Sequence, residues 1–355
     1  MTENKTASSE SSAGSPEAGA VGLPLVLDRR FKVIVFDWDG TAVMDRREDA
    51  SEARRLIERL LEFGVHAVVV TGTNLTNIER QMSSAIQGHH KSNLYVCANR
   101  GSEVYGFDAG SRPVLIWGRE ATPKEDRLLT EIADAVRDAV VARTGLDVRV
   151  IYDRLNRRKI DLIPLPEWQD PPKSTIGDLL SAVEARLRGA GMVGGLRAVI
   201  EQAETVSRKK GLKGARVTSD VKHVEVGLTE KSHSINWVMR ELVEGYHISR
   251  EEVLIVGDEF GPVSGFPGSD AKMVTPHSKG AVFLSVGAEP EGVPSGIIHL
   301  GGGPARFREV LRSQVALQER LDGHADGVWS DMPASPTRDA GWLLVDEGFN
   351  LAREH

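Results

Sequence analysis

The sequence predicts an α/β fold in which a parallel β-sheet is interrupted by an inserted α+β region. Apolar strands alternate with amphipathic helices in the first third of the chain, which is typical of a parallel sheet covered on both faces. The same style returns in the last third. The middle third combines long helices with alternating strands that lack acidic ends, and this indicates a separate α+β region.

The first third contains three predicted strands and two predicted helices. The strands are expected at about 31–36, 65–72 and 93–99, and the helices at 48–64 and 74–82. In the first helix Ile57 and Leu61 share an apolar face and Gly64 suits its C-terminal end. Residues 1–25 are polar and acidic, and we expect a disordered tail because they cannot bury enough apolar surface to offset chain entropy.

The middle third opens with a helix-start signal. Thr122-Pro123-Lys124-Glu125 has the form of a capping box with proline at the first helical position, and the helix is expected to reach about Arg143. Strands at 146–153 and 158–165 flank the basic turn 154–158, and a second helix is predicted over 173–189.

The last third contains three more predicted strands and one helix. The strands are expected at 223–228, 252–259 and 281–287, and the helix at 232–246. These patterns predict a discontinuous core of residues 26–110 and 223–322, an inserted domain of residues 111–222, and a linker within residues 323–355.

Composition excludes several classes of protein. The net charge of −7 does not predict a nucleic-acid footprint, and no apolar run approaches the roughly 20 residues that a membrane span needs. Cys97 is the single cysteine, so no intramolecular disulfide forms. Together with the lack of a signal-peptide pattern, this predicts a cytoplasmic protein.

Two buried strands end in acidic residues. One ends in Asp37 and Asp39, and the other in Asp258 and Glu259. The carboxyl ends of parallel strands share one edge, where open α/β folds bind ligands. Carboxylates brought together there repel one another, and Mg²⁺ is a hard cation that prefers such oxygen ligands. The alternative, that every acid is a solvated strand end, is the weaker explanation for two such clusters.

These residues resemble the four motifs of the haloacid-dehalogenase (HAD) superfamily of phosphotransferases. The motifs stand in the family's order, as Asp37-Trp38-Asp39-Gly40-Thr41, Thr71 after an apolar strand, Lys231 at a helix start, and Gly257-Asp258-Glu259. The resemblance implies a Rossmann-like core with a parallel sheet and an inserted α+β cap.

The resemblance also implies catalytic roles. Asp37 is the expected nucleophile, which forms an aspartyl-phosphate, and Asp39 the expected general acid and base. Thr71 is expected to hydrogen-bond the phosphoryl group and Lys231 to neutralise its charge. The alternatives are that Thr71 only caps the following helix and that Lys231 is a solvated surface residue.

The expected cofactor is Mg²⁺, held by Asp37, the backbone carbonyl of Asp39, and Asp258. The fourth motif is longer and richer in glycine than in most members of the family. The second acid of the metal site is therefore either Glu259 or Asp270.

The position of the insertion resembles the type-two cap of trehalose-phosphate phosphatases, sucrose-phosphate phosphatases and phosphomannomutases. Residues 98–106 resemble an Asn/His-Gly-x-Glu segment of trehalose-6-phosphate phosphatases, which makes Arg100 and Glu103, with Gly72, candidate substrate contacts. A plain turn at Gly101 is the alternative. The basic segment 153–161, which carries Arg157 and Lys159, is either a solvated hairpin or a polar clamp over a phosphosugar.

The C-terminal segment 341–355 resembles the opening of family-65 glycoside hydrolases and phosphorylases. The resemblance implies that this chain is joined to, or associates with, a larger disaccharide enzyme; an ordinary C-terminal tail is the alternative.

The leading functional hypothesis is a Mg²⁺-dependent phosphatase acting on a sugar phosphate similar to trehalose 6-phosphate. The other hypotheses are a hexose phosphomutase, suggested by the "PGSD" segment, and a degenerate domain that docks onto or regulates a carbohydrate enzyme.

Overall fold

The computed structural model describes residues 22–169, 171, 175–263, 265–288 and 292–322. The described residues up to Gln318 form one compact unit. Most of the predicted N-terminal tail, the predicted linker and the segment 341–355 lie outside the described residues. The last residues of that tail are described, and Leu23 packs against the hydrophobic core. No described helix combines the length and apolar character that crossing a membrane requires.

The elements alternate between strands and helices. The strands are β1 (Val33–Asp37), β2 (His66–Val70), β3 (Leu94–Ala98), β4 (Glu103–Phe107), β5 (Pro113–Gly118), β6 (Arg149–Arg154), β7 (Arg157–Asp161), β8 (Arg216–Ser219), β9 (His223–Gly227), β10 (Val253–Gly257), β11 (Pro262–Val263), β12 (Phe266–Pro267), β13 (Val282–Ser285) and β14 (Ile297–His299). The α-helices are α1 (Ser51–Glu62), α2 (Leu75–Gln81), α3 (Pro123–Thr144), α4 (Ile176–Gly189), α5 (Gly195–Lys210), α6 (Lys231–Trp237) and α7 (Gly303–Asp322).

The large sheet has eight strands in the order β14-β13-β10-β1-β2-β3-β4-β5. The strands from β14 to β3 pair in parallel, and β4 and β5 extend the sheet in antiparallel fashion. The chain leaves β1 for β2 and β3 on one side and returns on the other side as β10. This reversal of strand order opens a crevice at the carboxyl ends of β1 and β10.

Both faces of the large sheet are covered. Ile34 and Phe36 of β1 belong to one hydrophobic cluster, which includes Phe307 of α7. Val33 and Val35 belong to a second cluster, which includes Trp237 of α6. Successive side chains of a strand point to opposite faces, so burial on both sides explains why these strands are apolar throughout.

The inserted region, here called the cap, runs from α3 to β9. Its four-stranded antiparallel sheet has the order β6-β7-β9-β8 and packs with α3, α4 and α5 around a separate hydrophobic cluster. The predicted capping box is confirmed at the start of α3: Thr122 accepts from the backbone of Glu125, and Glu125 accepts from the backbone of Thr122. Gly145 ends α3 in the left-handed conformation that glycine favours.

The sheets assign two segments differently from the sequence prediction. Pro113–Gly118 pairs with β4 in the large sheet, although residues from 111 on were expected in the inserted domain. His223–Gly227 pairs with β7 and β8 in the cap sheet, although residues from 223 on were expected in the core. By strand membership the chain therefore enters the cap after Gly118 and leaves it after Gly227. The division into independently folding domains remains a prediction.

Candidate active site

The acidic strand ends meet in the crevice between β1 and β10. Asp37 is the last residue of β1, and Asp258 directly follows β10. The two strands are paired in parallel from Val33 and Val253 onward, so their carboxyl ends lie side by side. Thr41 donates a hydrogen bond from Oγ1 to Oδ1 of Asp258 across 3.2 Å, which ties the first motif to the fourth.

The loop after β1 is a tight turn. Gly40 has a φ of 95°, which glycine adopts without the steric cost of a Cβ, and its N–H donates to the carbonyl oxygen of Val43 across 2.6 Å. The side chain of Trp38 is fully buried, and its Nε1 donates to Oε1 of Gln81 in α2 across 2.9 Å. Trp38 thus anchors the loop, while Asp39 lines the cavity described below.

Lys231 stands at the centre of the acidic residues. Its Nζ lies 2.7 Å from Oδ1 of Asp37 and 2.5 Å from Oδ1 of Asp270. Burial lowers the pKa of the Lys231 ammonium, but Asp270 and Asp37 outweigh burial and raise it above its usual range. The structure therefore excludes a solvated surface lysine, and the raised pKa favours the charged ammonium form of Lys231 beside Asp37.

Three carboxylates form a candidate metal site. Oxygen atoms of Asp37, Asp258 and Asp270 lie within 4.8 Å of one another. Carboxylate oxygens are the donors that Mg²⁺ prefers, and the single ammonium of Lys231 does not balance three negative charges. The residues present therefore fit a hard divalent cation.

The structure brings Asp270, not Glu259, into this cluster. The Oε2 atom of Glu259 accepts a hydrogen bond from the hydroxyl of Ser269 across 2.8 Å. The backbone N–H of Glu259 donates to Oδ2 of Asp270 across 2.8 Å. Asp270 is fully buried. Glu259 closes the base of the loop and lines the cavity.

The second motif forms a loop beside the acids. Thr71 is buried directly after β2, and its Oγ1 accepts from the N–H of Thr73 across 3.2 Å. Asn74, not Thr71, caps helix α2, through a hydrogen bond from the N–H of Asn77. The structure thus excludes the helix-cap role for Thr71.

A cavity of about 670 Å³ lies between this edge of the sheet and the cap. Its walls include most of the residues that the sequence singles out: Asp37, Asp39, Thr71, Gly72, Arg100, Arg157, Lys159, Lys231 and Glu259. Glu103 is not part of the wall that the described residues form; it accepts a hydrogen bond from Asn99 across 2.6 Å.

The basic turn of the cap is solvated only in part. Arg154 is exposed, whereas Arg157 and Arg158 are each only 6% exposed. Arg158 pairs with Asp126 of α3 at 2.6 Å. Arg157 and Lys159 line the cavity instead, and burial lowers the pKa of Arg157 to about 10.

Glu225 is the cap residue that sequence reasoning missed. It is 2% exposed and is paired with Arg100 at 3.4 Å, Arg157 at 3.4 Å and Lys159 at 2.6 Å. Burial raises the pKa of Glu225, but Arg100, Lys159 and Arg157 outweigh that and bring it to about 2. The sequence pattern that could have revealed Glu225 is a lone acid in the apolar strand "HVEVG", since a buried charge requires oppositely charged partners.

Similarity to known proteins is confined to three-dimensional structure. No protein-family model matches the sequence, and no curated protein shows significant similarity to it. An N-terminally truncated Plasmodium falciparum IMP-nucleotidase bound to IMP superposes with a TM-score of 0.53 at 11% sequence identity, covering 82% of this chain and 70% of that one. A second structure of that IMP-nucleotidase gives a TM-score of 0.52 at 12% identity, covering 82% of this chain and 63% of that one.

The chain has the HAD fold. The sequence prediction of this fold, with its mixed α/β core and inserted cap, is confirmed. An Aspergillus fumigatus trehalose-6-phosphate phosphatase is also similar, with a TM-score of 0.48 at 16% identity, covering 83% of this chain and 96% of that one. In this HAD fold the four motifs converge on a single crevice beneath the cap.

Proposed function

We propose that this chain is a Mg²⁺-dependent phosphatase that hydrolyses a phosphate monoester through a phosphorylated Asp37. The observation that carries the proposal is the position of Asp37, which faces both the Lys231 ammonium at 2.7 Å and the acid cluster with Asp258 and Asp270. A nucleophilic carboxylate here meets a fixed cation and a site for a divalent one, both of which favour the approach of a phosphoryl dianion.

The reaction has two displacements. An oxygen of Asp37 attacks phosphorus, the bond to the ester oxygen breaks, and Asp39 donates a proton to the leaving alcohol. Asp39 then takes a proton from a water molecule, whose oxygen attacks phosphorus and releases inorganic phosphate from Asp37.

The remaining groups bind the phosphoryl oxygens. Lys231 balances their negative charge, and the hydroxyl of Thr71 and the backbone at Gly72 offer hydrogen bonds. A bound Mg²⁺, held by Asp37, Asp258, Asp270 and the backbone carbonyl of Asp39, would supply further charge neutralisation of the phosphoryl group.

We further propose that the substrate is a sugar phosphate, with a compound similar to trehalose 6-phosphate as the first candidate. The cavity of about 670 Å³ lies within the usual size range of small-molecule sites. Its cap wall is made of both acids and bases, among them Arg157, Lys159 and Asp220, and such a mixture suits hydroxyl groups, which both donate and accept hydrogen bonds. Because the similar P. falciparum structure is an IMP-nucleotidase, nucleoside monophosphates belong in the same substrate panel.

The other hypotheses receive less support. The "PGSD" segment suggested a phosphomutase, but its aspartate, Asp270, belongs to the acid cluster around Lys231. The complete set of Asp37, Asp39, Lys231 and Asp258 speaks against a degenerate domain. A fused or associated carbohydrate enzyme and a cytoplasmic location remain predictions.

The test is a comparison of wild type with Asp37→Asn on p-nitrophenyl phosphate, trehalose 6-phosphate, other sugar phosphates and IMP, each with Mg²⁺. We expect the variant to lose nearly all turnover, because the amide is a poor nucleophile. Asp147→Asn, at an exposed carboxylate of the cap that pairs with Arg149, should retain wild-type turnover. Unchanged turnover of Asp37→Asn would contradict the assignment of the nucleophile.

A further inference from the structure

Arg100 belongs to the core through its backbone. It follows β3 in a turn where Asn99, Arg100 and Gly101 have φ values of 51°, 53° and 82°. Such left-handed geometry is uncommon for residues other than glycine and is held here by two hydrogen bonds. The N–H of Arg100 donates to the carbonyl oxygen of Thr71 across 3.1 Å, and that of Asn99 donates to the carbonyl oxygen of Thr73 across 2.8 Å.

The side chain of Arg100 belongs to the cap through its contacts. Its Nη1 donates to Oγ1 of Thr218 in β8 across 2.9 Å. Its Nε and Nη2 each lie 3.4 Å from a carboxylate oxygen of Glu225 in β9. The guanidinium stem passes over Gly72, where a Cβ would lie 3.6 Å from it. One residue thus connects the loop of Thr71 and Gly72 to two strands of the cap.

Glu225 links Arg100 to the cavity wall. The same carboxylate accepts Lys159 at 2.6 Å and Arg157 at 3.4 Å, and both of these cations line the cavity. Glu225 lies on β9, which pairs with β7 and β8 in the cap sheet, so the sheet sets its position relative to Arg157 and Lys159 of β7. Fixing Glu225 from the core side therefore fixes the two cap cations relative to the loop of Thr71 and Gly72.

We propose that Arg100 is a positioning residue which, through Glu225, holds Arg157 and Lys159 of the cap over the phosphate site. The inference rests on the proposed function in so far as Arg157 and Lys159 serve the substrate there. Arg100 then affects the leaving group through the cap, and its own guanidinium remains bound to Thr218 and Glu225.

Two variants remove the contact between Arg100 and Glu225, with different effects on the buried charges, and a third, conservative variant tests the geometry of the guanidinium. Arg100→Ala leaves Glu225 paired with Lys159 and Arg157, so the buried carboxylate keeps its charge balance and the fold should be retained. Glu225→Gln leaves three cations without their carboxylate, which is a harsher change for a buried group. Arg100→Lys keeps the charge but loses the planar fork that reaches Thr218 and Glu225 together.

The first experiment measures cap position without any turnover. Nitroxide labels are attached to two introduced cysteines. One is Arg55→Cys, at an exposed position of α1 in the core, and the other is Val193→Cys on the cap, where Val193 is 73% exposed. The native Cys97 is buried, and burial raises its thiol pKa to about 12, so it should not be labelled. We expect one narrow interspin distance in the parent, a broader or longer distribution in Arg100→Ala and Glu225→Gln, and no further change in the double variant.

The second experiment separates cap positioning from phosphate chemistry. For a substrate whose alcohol reaches the cap, we expect kcat/KM of Arg100→Ala to fall by about 100-fold, since misplacement by an ångström can have this effect. For p-nitrophenyl phosphate the fall should be several-fold at most, and Arg100→Lys should recover part of the loss. Lys210→Ala, at a surface pair of the cap with Glu131, is the matched control and should resemble wild type in both assays.

Unchanged interspin distances in folded Arg100→Ala and Glu225→Gln would overturn the proposal, whatever their activity. An equal loss on both kinds of substrate would also overturn it, because it would place Arg100 at the phosphate itself. If wild type hydrolyses no phosphate ester, the proposed function fails, while the distance measurement still decides whether Arg100 fixes the cap.

Discussion

Lys231 and Asp270 are 39 positions apart in the sequence and joined by a 2.5 Å contact between Nζ and Oδ1. The other oxygen of Asp270 accepts the backbone N–H of Glu259. A single buried carboxylate therefore connects the third motif to both ends of the long fourth motif. This relationship brings Asp270, rather than Glu259, to the Lys231 ammonium and ties together the two ends of the glycine-rich loop between 259 and 270.

Replacing Asp270 should harm the site more than replacing Glu259. We expect Asp270→Asn to lower kcat/KM by about 10- to 100-fold and to weaken Mg²⁺ binding, because the groups that orient a metal site have effects of this size. Glu259→Gln keeps a hydrogen-bond acceptor for Ser269 and should lose less than about 5-fold. Measuring turnover as a function of Mg²⁺ concentration gives kcat/KM and the apparent Mg²⁺ affinity of both variants. A larger loss of kcat/KM in Glu259→Gln than in Asp270→Asn would indicate that Glu259 is the second acid of the metal site.

Gly257 should not tolerate a side chain. A Cβ at this position would lie 2.6 Å from the carboxyl carbon of Asp270, so Gly257→Ala must displace the carboxylate that Lys231 holds. We expect a loss of Mg²⁺-dependent activity similar to that of Asp270→Asn and a lower melting temperature. Gly177→Ala in α4, where nothing lies within 4 Å of the added atom, is the matched control and should melt at or above the wild-type temperature. Wild-type activity in Gly257→Ala would show that Asp270 can move freely.

Mg²⁺ should stabilise the folded protein in the absence of substrate. Three carboxylates within 4.8 Å repel one another, and a ligand that binds only the folded state raises stability by mass action. We expect the melting temperature to rise on titration with MgCl₂ after treatment with EDTA. The rise should be lost in Asp258→Asn and retained in Asp147→Asn. The same shift in wild type and Asp258→Asn would place the ion elsewhere.

His66 should make stability depend on pH far from the proposed chemistry. It is the first residue of β2, lies between the rings of Tyr95 and Tyr246, and burial lowers its pKa from 6.5 to about 4. As the pH falls from 6.5 towards 4, His66 becomes protonated in the unfolded chain but stays neutral in the folded protein. The free energy of unfolding therefore decreases. The loss should reach about 2 to 3 kcal/mol of unfolding free energy and be complete near the folded pKa.

Urea denaturation at pH 7 and pH 4.5 measures this effect. His66→Phe keeps an aromatic ring between the two tyrosines and should reduce the loss of stability between these pH values. His277→Gln, at an exposed position, should show the wild-type dependence. If His66→Phe has the same pH dependence as wild type, His66 is protonated in the folded state.

Several local features of the fold were predictable because they depend on neighbours in sequence. The apolar strands β1, β2, β3 and β10 and the capping box of α3 follow from residue patterns over a few positions. Antiparallel β4 and β5 were not predicted as part of the large sheet, since β5 is its largely exposed edge strand and β4 beside it is only partly buried. Helix α5 was also missed, because its charged end "SRKKG" and the glycines before it obscured the apolar face that the cap core buries.

The sequence by itself predicted the candidate site of this protein: Asp37, Asp39, Thr71, Lys231 and Asp258 could be named from short motifs, because each stands at a fixed place on a strand end or helix start. Only the tertiary structure decided between Glu259 and Asp270 and revealed Glu225. Both choices depend on which distant charges share a buried volume, Lys231 with Asp270 and Arg100 with Glu225. Such pairings are fixed by the desolvation of whole elements packed together, and no local pattern of residues records them.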